Sequence, residues 1–431
     1  MNAPREVQYP PMAQLPEQVR SSSLISAPLG GKGAYSAGEQ IQFPLVKYGF
    51  LVPTAGYVTA KVKISGIIAT NAGELLSIPA QSWISRSDVF INSVGVDTIQ
   101  NYGAVSNMLL HSKMNTAQKW GLSAPFGLRV TDGNCNAVDS NVLPVQGSTD
   151  VTEFQIAIPL NNILSNCEKY VPLSFGETRL VLQVADLANI ACKVNDGASI
   201  DSTASLSIDE VQYHYDIVEF GSAMENAILS AQAPDGIIAL KSQSYASSTA
   251  QINSGTQGYL EIPTALSLRS IKSCFALFNR TDRYRQFASY DPTNGNGSVQ
   301  FTIASQTYPP APLDTKNHKT SVVLEHAHAI HGTKNSPEMT NSSLSALNFR
   351  NHDVAFGSDP SNDLSKAYFG VSVEKIDGSY LMTGVSSQNS NATTRINLNS
   401  ATTTALNLMS VYNHDAILYF DLVNRSVSVA K

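Results

Sequence analysis

The strongest constraint on the fold is a pattern of alternating side chains that closes each half of the chain. Leu206 to Phe220 (LSIDEVQYHYDIVEF) alternates apolar and polar residues, and Ala416 to Val429 (AILYFDLVNRSVSV) does so at the end of the sequence. A period of two places one set of side chains in a core and the other in solvent, as in a half-buried β-strand. Because shorter runs of the same kind precede each stretch, the sequence predicts two β-domains of similar size.

Shorter strand-like runs fill both halves. Residues 58–64 (VTAKVKI) alternate most clearly, and Leu266 to Phe278 is apolar on both faces, which is typical of a strand buried from two sides. Further runs of the first half are Asp88 to Val94, Phe154 to Ile158 and Leu180 to Val184. Each half offers about eight short strands, a number and spacing typical of jelly-roll or immunoglobulin-like sandwiches. The long loops and a helix favour the jelly roll, so the predicted fold class is all-β, two tandem eight-stranded jelly rolls with a few short helices.

The length of the chain supports this division. At 431 residues it exceeds the usual size of one domain, about 100–200 residues. The first residues are rich in Pro, Ser and Gly and bury little, so we expect an arm that is disordered alone and becomes ordered against a partner. The predicted segments are an arm at 1–36, a first jelly roll at 37–220, a linker at 221–238 and a second jelly roll at 239–431.

Two segments depart from the strand pattern. Ala104 to Trp120 is the best helix candidate, stopped by Gly121, and would cover one end of the first sandwich. Residues 313–362 are polar and rich in turn formers, so we expect a long excursion there. The prolines that follow Tyr308 exclude pairing in the centre of a sheet at that point.

Composition narrows the function. Charged residues make up 14% of the chain, against roughly 25% in a typical soluble domain, and polar uncharged residues take their place. Such surfaces suit contacts with other proteins, because buried charge is costly. The formal charge of −6 argues against a dominant nucleic-acid role, although a local basic arm stays open. The first residues show no secretory signal, no apolar run is long enough to span a membrane, and we expect the four cysteines to be reduced and mostly buried.

The sharpest local motif is a histidine cluster at Glu325–His331 (EHAHAIH). On a strand, His326 and His328 would share a face and could bind a metal. On a helix, Ile330 takes the place of the ligand that His326 would need four residues later, although His328 and His331 are three residues apart. The spacing matches no standard zinc signature. We interpret the three histidines as a structural or surface cluster, with a metal site or a pH-sensitive subunit contact as the alternatives.

Other polar groups give no catalytic constellation. Asp209 and Glu210 lie inside a strand pattern, where a β-bulge or an exposed turn is a simpler interpretation than an acid/base pair. Arg280, Arg283 and Arg285 form a small basic cluster, interpreted as a solvated loop or interface rim, with nucleic-acid contact as the alternative. No nucleophile elbow is present. We therefore expect no enzyme activity, no catalytic residue, no cofactor and no small-molecule substrate.

Longer segments resemble a known family, the double jelly-roll major capsid proteins of the adenovirus, tailless membrane-containing phage and virophage lineage. The resemblance spans about residues 37 to 431. The segments that carry it in the second half are LSLRSIKSCFALFNRTDRYRQF (266–287), VQFTIASQTYPPAPL (299–313), NDLSKAYFGVSVEK (362–375) and the closing AILYFDLVNRSVSV. Those of the first half are SRSDVFINSVGVDTIQNYGAV (85–105) and IPLNNILSNCEKYVPLSFGETRLVLQVADL (158–187).

The resemblance implies a structural protein of the virion that is assembled inside the host cell. Members of the family form homotrimers whose six sandwiches make a pseudo-hexameric capsomer. Capsomers tile an icosahedral shell around a DNA genome and contact neighbouring capsomers and minor or penton capsid proteins. The arm could also contact the genome or an internal membrane. The alternative is a two-domain β-sandwich adhesin or carbohydrate-binding protein, which should carry a signal peptide and stacking aromatics, whereas this chain has only two Trp.

Overall fold

The structure is a computed structural model, and it describes most of both halves of the chain. The described residues are 19–65, 75–77, 80–115, 117–118, 129–131, 137–139, 142–144, 152–187, 192–193, 205–222, 224–225, 227, 236–281, 289, 291–292, 297–331, 367–374, 382–388 and 390–431. The strands of the first half are β1 (Arg20–Ser26), β2 (Ala34–Tyr35), β3 (Gln40–Pro44), β4 (Phe50–Leu51), β5 (Tyr57–Ser65), β6 (Leu75–Ser77), β7 (Ile84–Ile91), β8 (Val94–Gln100), β9 (Arg129–Thr131), β10 (Ala137–Asp139), β11 (Val142–Pro144), β12 (Thr152–Pro159), β13 (Val171–Pro172), β14 (Thr178–Val184), β15 (Cys192–Lys193) and β16 (Ser205–Glu219).

In the described part of the second half, the strands are fewer and longer. They are β17 (Ile237–Ile252), β18 (Gly258–Thr264), β19 (Ile271–Arg280), β20 (Gly297–Ile303), β21 (Gln306–Tyr308), β22 (Phe369–Ser372), β23 (Ala392–Leu398), β24 (Leu406–Asp421) and β25 (Ser426–Ala430). Among the residues that the structure describes, two α-helices, α1 (Tyr102–Lys113) and α2 (Lys319–His331), accompany short 3-10 turns at Pro53–Ala55 and Ala80–Trp83.

Each half contains two main antiparallel sheets with the same strand order, and the first half adds two small sheets, β11-β6-β15 and β10-β9. In the first half, β1 and β2 pair with one side of β16 in the first sheet, and β5 and then β12 follow on its other side. The facing sheet has the order β3-β14-β7-β8. In the second half, the corresponding orders are β17-β24-β19-β22 and β18-β23-β20-β21. We call the sheet that holds the first and last strand of its half the terminal sheet, and the other the medial sheet. This interleaved order is that of a jelly roll, so the predicted pair of jelly rolls is confirmed.

The alternation read from the sequence sets the cores. In β5, Val58, Ala60, Val62 and Ile64 are buried against the medial sheet, while the residues between them are partly exposed. In β19, Cys274, Ala276 and Phe278 face the core of the second sandwich, and its odd-numbered neighbours are buried too. Burying an aliphatic or aromatic side chain contributes about 1.5–3 kcal/mol. The prediction of a strand buried from two sides is therefore confirmed for β19.

Two local predictions needed correction. The run from Asp88 to Val94 is not one strand but the hairpin of β7 and β8, because Asn92 (φ 50) and Ser93 (φ 64) adopt the left-handed conformation of a tight turn. The closing run is also a hairpin, since the Asp421 carboxylate accepts hydrogen bonds from the backbone N–H groups of Val423 and Asn424 and ends β24. By contrast, the bulge at Asp209 is confirmed by a register shift, with Glu210 at φ 49.

The helices also differ from expectation. Helix α1 begins at Tyr102, two residues before the predicted start at Ala104, and ends at Lys113, well before the predicted end at Trp120. Gly121 lies outside the described residues. Helix α2 occupies part of the predicted polar excursion at 313–362, which is therefore not purely turns. It packs on β22 and β19, and Gly370 lets it approach, because a Cβ atom there would lie 2.6 Å from Nδ1 of His326.

The predicted arm at 1–36 is shorter in the structure. Arg20–Ser26 forms β1, which pairs along its whole length with β16 of the same chain, and β2 extends the same edge. The sequence RSSSLIS lacks strand formers at most positions, so only its partner strand stabilises it. Residues 1–18 lie outside the described residues. The predicted linker at 221–238 likewise overlaps β17, which begins at Ile237.

The prediction of reduced, buried cysteines is confirmed for the two thiols that the structure describes. Cys167 and Cys274 are free and buried, and burial raises the pKa of both, that of Cys167 to about 12. Cys135 lies outside the described residues, and only the backbone of Cys192 is described, in β15. Within the described ranges, neither helix has the length and apolarity needed to cross a membrane.

Candidate assembly surfaces

The two sandwiches meet along a buried seam. Strand β8, at the edge of the first medial sheet, packs on β17 and β25 of the second sandwich. The backbone N–H of Glu168 donates to the carbonyl of Lys241 (3.1 Å), and the hydroxyl of Ser242 donates to the carbonyl of Ile163 (2.5 Å). Apolar residues of both halves belong to one continuous core cluster. The two sandwiches therefore share one packed core in this region rather than forming two separate domains joined by a linker.

Asp97 is the polar centre of the seam. Its carboxylate is 1% exposed and accepts hydrogen bonds from the backbone N–H of Ile163 (2.9 Å) and from the hydroxyl of Ser244. The ammonium of Lys431 lies 3.5 Å from the same carboxylate. A buried carboxylate is tolerated only with such partners. Because these partners come from both halves, Asp97 ties the first sandwich to the second.

The two helices make a second connection through His326. The Ser112 hydroxyl of α1 donates to the carbonyl of Met108 (2.7 Å) and lies 2.8 Å from Nε2 of His326 on α2, so Nε2 is the donor of that bond. The imidazole packs edge-on against the ring of Phe275, with ring centroids 5.5 Å apart. It also lies close to the ring of Tyr368. Nδ1 is buried without a hydrogen-bond partner. Burial, with a smaller effect of His331, lowers the pKa of His326 to about 3, so the ring is neutral.

The outer face of the second terminal sheet is apolar and covered. Phe275 pairs with Val411, and Leu277 pairs with Met409, across β19 and β24. All four side chains are at most 1% exposed and belong to the continuous core cluster. We call these four residues the covered face. Helix α2 lies over this side of the sheet, with His326 against Phe275.

The outer face of the first terminal sheet is polar and open. Here β5 and β16 pair Lys61 with Asp209 and Thr59 with Gln212, and β12 adds Glu153 beside Lys63. We call this surface the ladder face. Its residues, all half-buried or exposed, are Thr59, Lys61, Lys63, Glu153, Gln155, Asp209, Gln212 and His214.

Ion pairs cross the ladder face from strand to strand. Lys61 lies 2.5 Å from Glu153, and Lys63 lies 3.3 Å from Glu153 and 2.7 Å from Asp209. The hydrogen bond from Lys61 lowers the pKa of Glu153. Partial burial acts to raise the pKa of Asp209, but hydrogen bonds from Lys63 and Ser207 lower it overall. The charges are thus paired within the chain.

One end of the ladder face carries a ring stack. The rings of Tyr57 and His214 lie parallel, 4.7 Å apart, and the Thr59 hydroxyl is 3.0 Å from Nε2 of His214. A shallow groove of about 430 Å³ runs beside them, with Gln155 and Glu210 in its lining. The groove is open and its lining is both polar and apolar, which suits contact with another protein surface better than enclosure of a small ligand.

The histidines that the sequence analysis grouped together point in different directions in the structure. His326 points into the molecule, whereas His328 and His331 are only half-buried on α2. Residues two apart on a helix point in nearly opposite directions, so His326 and His328 do not share a face. The described residues contain no cluster of three or more metal-ligating side chains. Arg283 and Arg285, and the side chain of Arg280, lie outside the described part of the chain.

Sequence reasoning missed the residues that hold the seam. Asp97 and Ser244 lie in ordinary strand runs, and nothing in their local pattern marks them. Their roles depend on a contact between segments far apart in sequence. The only available signal was polarity at a position where alternation predicts a buried side chain, as at Ser242 and Ser244 in β17.

Comparisons with known proteins bear on the whole arrangement. No protein-family model and no curated protein sequence matches the chain. Solved structures do match it. PBCV-1 VP54, fitted into a reconstruction of the virophage Sputnik, has a TM-score of 0.60 at 12% identity and covers 96% of this chain and 97% of its own. This chain has a double jelly-roll fold.

Two further structures with this fold extend over nearly the same length. The Faustovirus major capsid protein has a TM-score of 0.58 at 9% identity, covering 95% of this chain and 91% of its own. The mavirus major capsid protein has a TM-score of 0.54 at 11% identity, and the match covers 100% of this chain and 95% of the mavirus protein. Because the matches include both sandwiches together, the side-by-side arrangement is shared as well as the individual jelly rolls.

Proposed function

We propose that this protein is the major capsid protein of an icosahedral DNA virus. The observation that carries the proposal is the side-by-side fusion of two jelly rolls through a buried seam, an arrangement shared over nearly the full length with structures described as major capsid proteins. The role is structural rather than catalytic. At the seam, the buried carboxylate of Asp97 is engaged by groups from both sandwiches, which suits holding the unit rigid.

The building block of the shell is a homotrimer. Three copies around a threefold axis bring six similar sandwiches into a ring, which gives a pseudo-hexameric capsomer with six similar sides. Such units pack into a hexagonal lattice with neighbouring capsomers, and minor or penton proteins fill the vertices. Rigid units favour this packing, because a flexible hinge between the sandwiches would have to be ordered on assembly.

The segment before Arg20 contacts neighbours in the shell. β1 anchors the chain to the edge of the first sandwich, so the preceding residues start from a fixed point on the surface. Their Pro-rich composition favours an extended chain that becomes ordered against a partner. The partner is a neighbouring capsomer, with the genome or an internal membrane as further contacts.

The mass of the purified protein tests the proposal. Multi-angle light scattering coupled to size exclusion should give three times the chain mass of 46.2 kDa. A single monomeric species that persists to high protein concentration would contradict the capsid function.

Deletion of residues 1–18 tests the role of the arm. We expect the shortened protein to form trimers of wild-type mass but no closed shells under conditions in which the wild type assembles. Normal shells from the shortened protein, seen by electron microscopy, would show that these residues are not needed as a clamp.

A further inference from the structure

A row of carboxamide side chains crosses the second terminal sheet where the covered face ends. Asn407 of β24 pairs with Gln251 of β17 on one side and with Asn279 of β19 on the other. Because directly paired residues project from the same face, about 5 Å apart, the three side chains form a line across three strands. The adjacent row of the same face, Leu277 with Met409, is apolar. The outward chemistry of the sheet therefore changes from apolar to amide between one row and the next.

The first sandwich supplies the other wall of a cavity at this row. The hydroxyl of Ser247 in β17 donates to the carbonyl of Gln100 (3.1 Å), which holds the end of β8 against the sheet. Asn101 follows in the left-handed conformation (φ 52), and its side chain does not cap helix α1. Together with Thr249 and the carboxamide row, Asn101 lines a cavity of about 360 Å³. Both sandwiches thus contribute to the cavity.

The carboxamides of the cavity are not used to hold the fold together. Within the described part of the chain, the side chains of Asn101, Gln251 and Asn407 make no hydrogen bond. Elsewhere on the same face of the sheet, Nδ2 of Asn413 donates to Oε1 of Gln243 (3.5 Å), so amides of neighbouring strands can pair there. A carboxamide both donates and accepts hydrogen bonds, and those of the cavity are available to a ligand.

The lining selects the chemistry of that ligand. No lining residue carries a charge or an aromatic ring. A charged ligand would lose its hydration without gaining a counter-charge, which is costly. Hydroxyl groups both donate and accept hydrogen bonds, as carboxamides do. We infer that the cavity binds a neutral sugar, whose hydroxyls contact the carboxamides and whose C–H groups contact Met409.

The position of the cavity favours a sugar over a peptide. Strand β24 lies between β17 and β19, so its backbone N–H and C=O groups are already engaged in the sheet. A peptide therefore cannot bind here as an added strand, the mode in which backbone hydrogen bonds supply the affinity. A sugar ring needs side-chain contacts alone. The volume is also small, near the lower end of the range of about 300–1,000 Å³ for small-ligand pockets.

Binding at a single cavity should be weak, because no aromatic ring is present to stack on the sugar. We expect a dissociation constant in the millimolar range. The site itself does not depend on the proposed function. If the chain does form a trimer or a shell, the cavity is repeated in every copy, and a multivalent glycan would bind far more tightly than a single sugar.

Saturation-transfer difference NMR on the full-length protein tests the inference. The probes are the methyl glycosides of glucose, galactose, mannose and N-acetylglucosamine, and we expect at least one of them to bind. Gln251→Ala/Asn407→Ala removes two carboxamides, so the dissociation constant should rise roughly tenfold. Asn397→Ala is the matched control, because Asn397 is an exposed carboxamide in β23 of the opposite sheet. The control should keep the wild-type dissociation constant.

Four results would overturn the inference. They are the absence of binding of every glycoside to the wild type, equal binding by the folded double variant, tighter binding of the anionic N-acetylneuraminic acid than of every neutral probe, and binding of a short Ser/Asn-rich peptide in place of the glycosides. If the double variant does not fold, Gln251→Ala decides, because Gln251 is exposed. None of these results changes the mass measured by light scattering, and a monomer that binds sugar would defeat the proposed function alone.

Discussion

The outer faces of the two terminal sheets have the same place in their sandwiches but opposite chemistry. The covered face of the second sandwich pairs Phe275 with Val411 and Leu277 with Met409, all four buried, and helix α2 packs on β19 at Phe275. The ladder face of the first sandwich carries Lys61 beside Asp209 in the equivalent strands. The comparison teaches that the same place in the fold can be buried within the chain or left exposed, and that the outward residues of two strands decide which.

The difference follows from when each face is covered. An apolar face is stable only if it is covered as the chain folds, since a large exposed apolar patch promotes aggregation. A face that stays exposed in the folded chain must be compatible with water, and the paired charges of the ladder face achieve this at little cost in stability, because exposed ion pairs contribute about 0–1 kcal/mol.

Removing one side chain from each face should give the largest contrast. Phe275→Ala leaves a cavity in the covered face, and we expect it to lower the free energy of unfolding by about 3–5 kcal/mol. Lys61→Ala on the ladder face should lower it by only about 0.2–1 kcal/mol. Urea denaturation followed by circular dichroism measures both. Similar losses in the two variants would erase the distinction between the faces.

Acid should weaken the covered face through His326. Its pKa is about 3 in the folded chain and near 6.5 when exposed, so between these values the unfolded chain binds a proton that the folded chain does not. Stability is therefore lost as the pH falls from 6.5 towards 3, by roughly 1.4 kcal/mol per unit of pH.

A substitution at this histidine isolates the effect. His326→Gln should reduce the loss of stability between pH 7 and pH 4, measured as the change in the denaturation midpoint. Phe275→Leu loosens the same packing but keeps the histidine, so its pH dependence should follow that of the wild type. An unchanged pH dependence in His326→Gln would mean that other groups account for the acid sensitivity.

A smaller effect is expected at the seam between the sandwiches. Asp97→Ala leaves the N–H of Ile163 and the hydroxyl of Ser244 without their acceptor, which should cost about 1–3 kcal/mol. Calorimetry should then resolve two transitions, because the sandwiches are less tightly coupled. Glu168→Ala is the control at the rim, where the carboxylate is 54% exposed and lies 3.4 Å from Lys241. A single transition in Asp97→Ala would place the coupling elsewhere.

The repeated sandwich could be predicted from the sequence, because alternation depends only on which residues face a core. The strand at 58–64 and the bulge at Asp209 are examples of this local information. Helix α2 was missed because its sequence is polar, and His326 is buried only with the help of Ser112. β1 was missed because its serines are held by the neighbouring strand.

The candidate surfaces were less predictable than the fold. The covered face was visible only as a strand apolar on both sides, without a sign of what lies on its second side. In the sequence, the ladder face looks like the solvent side of an ordinary strand. Residues such as Lys61 and Lys63 give the same alternating pattern whether they contact water or another subunit. Long-range contacts, absent from any local pattern, decide both.

Negative-stain electron microscopy of the purified protein tests the central claim most directly. If the chain is a rigid double sandwich that forms the proposed trimer, class averages should show compact particles with six lobes around a threefold axis. Particles with only two lobes at concentrations well above those needed for imaging, or two lobes separated by a variable gap, would contradict it.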